Sequence, residues 1–161
     1  MRELPHALKI ATVWLLLGTL LFMAVQAWQR QQAATQFSVA GGVIEIRRAR
    51  DGHYHWPGTI NGVAVDFLVD TGATSTAVPA ALASRLGLEA IGTVRSQTAG
   101  GTVTGRVVRV DIVLDGGVQA RALRVVALDG LRERPLLGMD VLGRLQWRQA
   151  DGVLTIDLRG R

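Results

Sequence analysis

The chain has 161 residues, a formal charge of +5, 19% charged side chains and no cysteine, enough for one domain plus an appendage. Without cysteine, disulfides, thiol catalysis and zinc–thiolate sites are excluded. Every cation except Lys9 is Arg, and beyond the first thirty residues they are scattered (Arg85, Arg95, Arg106, Arg121, Arg144) and not interleaved with aromatics, which argues against a nucleic-acid partner.

The first segment differs from the rest. Ile10 to Trp28 carries no charge and is bounded by Lys9 and Arg30. Counted from Ala7 with Lys9 snorkelling, it matches the roughly 20 residues that a bilayer-spanning helix needs. Trp14 and Trp28 stand toward its ends, as interfacial anchors do. Val25-Gln26-Ala27 also suits a signal peptidase, so a cleaved signal peptide competes with a retained anchor. The apolar run exceeds the roughly 7–15 residues of a signal h-region, which favours the anchor. Residues 1–30 are therefore read as a tail and a transmembrane helix. A short basic tail (Arg2, Lys9) stays in the cytoplasm, which puts the bulk of a single-pass inner-membrane protein in the periplasm of a bacterium. Residues 31–50 read as a linker, polar and aperiodic, with Val43–Arg47 as a candidate first strand.

Residues 51–161 form the expected folded domain, and from His53 the pattern is β. Asn61-Gly62 between two apolar runs is a strong hairpin signal, and the second run, Val63 to Val69, delivers Asp70 into a turn. Pro79 to Leu86 reads as a short helix ended by Gly87. Ile91–Gln97 and Thr102–Leu114 are strand-like and joined by Thr98-Ala99-Gly100-Gly101. Gly116-Gly117 turns the chain into Val118–Leu128. After Asp129-Gly130 come the segment Leu136–Leu142 and a last hairpin, Arg144–Gln149 and Val153–Leu158 about Asp151-Gly152. Short strands, close turns and one or two brief helices predict an all-β domain, a small barrel or sandwich.

Asp70 is the residue with chemistry to explain. A carboxylate that follows Phe67-Leu68-Val69 sits at the core's edge, where burial disfavours its charge unless donors surround it. Thr71, Thr74, Ser75 and Thr76 offer hydroxyls for this, and Gly72 lets another chain approach. Two such carboxylates sharing a proton can activate water. His53 and His55, two apart, could share a strand face and bind a metal, but no third ligand has a recognisable spacing, so no metal is expected. Asp66 is over about 10 Å along the strand from Asp70 and cannot be its partner. Asp140 is either an extra acid near the site or, the favoured reading, a helix-turn residue facing water.

Asp70-Thr71-Gly72-Ala73, preceded by Phe67-Leu68-Val69 and followed by Ser75 to Pro79, resembles the active-site loop of the retropepsin-like aspartic proteases. Leu136-Leu137-Gly138-Met139-Asp140-Val141-Leu142 resembles the hydrophobic-hydrophobic-glycine segment and short helix near their C-terminus. The resemblance implies a retropepsin-like closed barrel and an aspartic endopeptidase acting on polypeptides without a cofactor. It implies Asp70 as the catalytic residue, supported by Thr71, Gly72 and Ala73, with Gly100 and Gly101 near the tip of a flap. The chain carries a single Asp-Thr-Gly, so the second carboxylate must come from another copy in a homodimer, with the terminal strands helping to build the interface. The alternative from another class is a non-catalytic module that binds peptides or dimerises a membrane protein; the intact Asp70-Thr71-Gly72 argues against it.

Overall fold

The computed structural model describes residues 6–32, 36–38, 42–98, 101–131 and 134–159. The chain divides into two units, Met1–Ala34 and Thr35–Arg161. The first holds one helix, α1 (His6–Gln32). Its described side chains, Ile10 to Gln26, are all exposed, among them Trp14, Leu15, Leu20 and Phe22. Among the described residues no helix is long and apolar enough to cross a membrane.

The second unit is all-β, with strands β1 (Gln36–Ser38), β2 (Val43–Arg47), β3 (His55–Ile60), β4 (Val63–Val69) and β5 (Ala77–Pro79) before helix α2 (Ala80–Arg85). There follow β6 (Gly92–Thr98), β7 (Gly101–Leu114), β8 (Val118–Leu128), β9 (Leu136–Leu137), helix α3 (Met139–Leu142), β10 (Gln146–Ala150) and β11 (Val153–Asp157). Strands β8, β5, β9, β4, β3 and β7 pair in that order, and a further β7–β8 pairing closes them into a barrel. β1 extends the sheet at β8 and β6 at β7, while β10, β11 and β2 make a second, antiparallel sheet.

The turns form where the backbone needs residues that accept positive φ. Asn61 and Gly62 stand at φ 49° and 81°, the handedness that matches the twist of the flanking strands, and set the β3–β4 register from Ile60↔Val63 to His55↔Leu68. Period-2 burial then fixes the faces. Val108, Val110, Ile112 and Leu114 of β7 point inward with Val118, Ala120, Leu123 and Val125 of β8, the register shifting between Val110 and Ile112. Trp56 and Phe67 fill the centre, and Leu154, Ile156 and Leu158 join the same core, against which Ile44, Ile46 and Trp147 also pack.

In the stretch 31–50, read as a linker with Val43–Arg47 as a candidate first strand, that strand forms as β2 and pairs with β11; ahead of it α1 continues to Gln32, and β1 pairs with Gln119–Arg121. Two short strands, β5 and β9, carry the barrel's parallel pairings, Ala77–Pro79 with Val126–Leu128 and Leu68-Val69 with Leu136-Leu137.

Candidate active site

Strand β4 ends at Val69 and hands the chain to Asp70 beside β9. The Asp70 backbone N–H donates to the Leu137 carbonyl at 3.0 Å, and that of Leu68 donates to Pro135 at 2.9 Å. The loop closes on itself: the Gly72 N–H donates to Asp70 Oδ1 at 2.9 Å, and the Ala73 N–H to the Asp70 carbonyl at 3.3 Å. A Cβ on Gly72 would lie 3.2 Å from Oδ1, so glycine lets the loop close tightly around the carboxylate. Among the described residues Oδ2 has no hydrogen-bond partner, and neither has the Thr71 hydroxyl. Asp70 and Ala73 are half-buried, while Thr71 and Gly72 are exposed.

The expected hydroxyl donors do not reach Asp70; its side-chain donor is the Gly72 backbone. Thr76, wholly buried, instead serves Asp140. Its hydroxyl donates to Asp140 Oδ1 at 2.7 Å, and its N–H points at both carboxylate oxygens at 3.0 Å. The same hydroxyl accepts the Gly138 N–H at 3.1 Å. Asp140 therefore turns its carboxylate to Thr76 and not simply to water. It is half-buried and bolts α3 beneath the loop, a charge-assisted contact of the stronger kind. Met139 and Asp140 complete the bolt by donating backbone N–H groups to Ala73 and Thr74. Gly138 has no room for a side chain, since a Cβ would meet the Ser75 carbonyl carbon at 2.5 Å.

The β6–β7 hairpin runs from Gly92↔Val107 to Thr98↔Gly101. Gly101 stands at φ 111°, and a Cβ there would project into open space. Gly100 lies outside the described residues.

The histidines separate. His53 precedes β3 and donates its backbone N–H to Asp51. The His55 ring nitrogens face two carboxylates, Nδ1 with Asp66 at 2.9 Å and Nε2 with Asp51 at 2.8 Å. Asp66 is thus engaged at His55 and not at Asp70. Among the described residues no group of three or more His, Asp or Glu is arranged to hold a metal.

Residues 56–144 match the family described as “gag-polyprotein putative aspartyl protease”. No match is found among curated proteins. Among solved structures, a retropepsin-like aspartic protease from Rickettsia conorii is similar at 25% identity and a TM-score of 0.58, over 77% of this chain and 93% of that one. The EIAV protease complexed with the inhibitor HBY-793 shares the fold at 23% identity and a TM-score of 0.51, over 59% of this chain and 89% of that one. The all-β barrel is thereby a retropepsin-like fold, and its relatives are aspartic proteases.

Proposed function

Because this chain belongs to the gag-polyprotein aspartyl protease family, we propose that it is an endopeptidase in which Asp70 of two identical subunits forms the catalytic pair, held at a membrane by α1 with the barrel on the periplasmic side. The observation that carries the reading is the Asp70 loop. Its Oδ1 is held by the Gly72 N–H, while Oδ2 and the exposed Thr71 hydroxyl have no partner among the described residues. A second copy brought against this loop supplies the missing carboxylate, and Thr71 braces the two loops together.

Two carboxyls about 3 Å apart share one proton, because like charges so close do not both ionise. The ionised member takes a proton from water as its oxygen bonds to the substrate carbonyl carbon, and the protonated member gives its proton to the carbonyl oxygen. Collapse of the tetrahedral species returns a proton to the amide nitrogen and breaks the C–N bond. No cofactor enters these steps. Closure of the β6–β7 hairpin, with Gly101 near its tip, excludes water from the bound peptide.

The anchor reading rests on the uncharged run Ile10 to Trp28 and on the exposure of the apolar side chains described on α1. Confinement to one bilayer raises the effective concentration of subunits without adding a contact at the site.

The test is peptide cleavage by the full chain against Asp70→Asn, which keeps shape and removes the shared proton. Activity falling below about one per cent with an unchanged melting temperature is expected on the scale of a lost acid/base group. Retention of activity refutes the assignment.

A further inference from the structure

A four-residue cluster gathers Asp51, His55, Asp66 and Arg134. His55 sits between Asp66 at 2.9 Å from Nδ1 and Asp51 at 2.8 Å from Nε2, its side chain only 16% exposed. Arg134 Nη1 lies 2.8 Å from Nδ1 and 3.3 Å from Nε2. A single atom that near to both ring nitrogens stands over the ring and not along either nitrogen's lone pair, while both carboxylates meet the ring's edges. The same Nη1 is 3.5 Å from Asp66 and 3.8 Å from Asp51. Arg134 and the His55 ring thus bridge two carboxylates from three segments: the β2–β3 loop (Asp51), the β3–β4 hairpin (His55, Asp66) and the connection into β9 (Arg134).

The Asp51 carboxyl is held below its ordinary range first by the His53 backbone N–H and then by the His55 ring.

The cluster's position gives it a role. Arg134 is followed at once by Pro135, whose carbonyl takes the Leu68 N–H, and then by β9, whose Leu137 carbonyl takes the Asp70 N–H. We propose that Arg134 is a positioning residue for Asp70: set against the His55 ring and paired with Asp51 and Asp66, it fixes the entry to β9. This deepens the peptidase reading and shares its assignment of Asp70, but its test does not need cleavage to be observed.

The experiment follows hydrogen exchange of the Leu68 and Asp70 amides by NMR in the full chain in micelles, with amides of β7 and β8 as internal reference. In Arg134→Ala, protection at Leu68 and Asp70 relative to the reference falls about two- to fivefold, the scale of a partly exposed ion pair, and Arg134→Lys recovers part of it. Unchanged protection in Arg134→Ala, or an equal loss throughout β7 and β8, overturns the proposal. Absence of peptide cleavage by the wild type refutes the function without touching this result.

Discussion

At the scale of single residues, the most consequential side chain after Asp70 is Thr76, one hydroxyl that donates to Asp140 and accepts from Gly138 with no access to water. Thr76→Val keeps the shape, leaves the Gly138 N–H unpaired and leaves Asp140 with only the backbone N–H of residue 76, so it costs about 1–3 kcal/mol; Thr76→Ser retains most of the stability. Urea unfolding of both variants checks this, and equal midpoints contradict it. On the acid side the informative group is Asp157, whose carboxyl is pulled down to about 2 first by the Arg159 side chain and also by its backbone N–H. Its folded value lies below its ordinary 3.8, so its contribution to stability is present above 3.8 and is lost as pH falls through about 2. The Asp51 shift has the same sign. Carboxyl NMR should place the Asp157 midpoint near 2 and move it upward in Arg159→Gln. The strand and turn that carry Asp70 were legible in the sequence because their signal is local, an apolar strand running into Asp-Thr-Gly. The task of Asp140 was not, because its partner Thr76 is 64 positions away and a carboxylate on a short helix looks the same whether it meets water or a buried hydroxyl.

At the scale of elements, the hairpins declared themselves through Asn61-Gly62, Gly116-Gly117 and Asp151-Gly152, each followed by alternating apolar residues, since turn chemistry and period-2 burial are written within a few residues. β5 and β9 did not. At three and two residues they are too short to show a period, and their partners β8 and β4 are distant in the chain. Yet β9 is the element that seats Asp70, and Gly138 is where it passes under the loop. Gly138→Ala places a methyl against the backbone of Ser75 and Thr76 and is expected to cost about 3 kcal/mol, the scale of overpacking where the neighbour is main chain. Gly101→Val behaves differently. Its Cβ enters open space, but φ 111° is strained for a β-branched residue, so turnover should fall more than the melting temperature does. Kinetics measured beside thermal unfolding separates the two: a large drop in melting temperature with normal activity per folded molecule places Gly101 outside the flap.

At the scale of the whole molecule, one barrel offers one Asp-Thr-Gly loop, and the proposed chemistry needs two. The account therefore stands or falls on whether the working unit contains two Asp70 side chains, and mixing measures this directly. Equal amounts of wild type and Asp70→Asn are exchanged to equilibrium at a fixed total subunit concentration high enough to saturate the dimer, and peptide cleavage is compared with the all-wild-type sample. Random pairing leaves about a quarter of the dimers with both carboxyls, and a mixed pair cannot share a proton between two acids, so the predicted rate is about a quarter of the wild-type value. A rate of about a half, the proportion of wild-type chains present, would mean that each chain cleaves alone and would contradict the account.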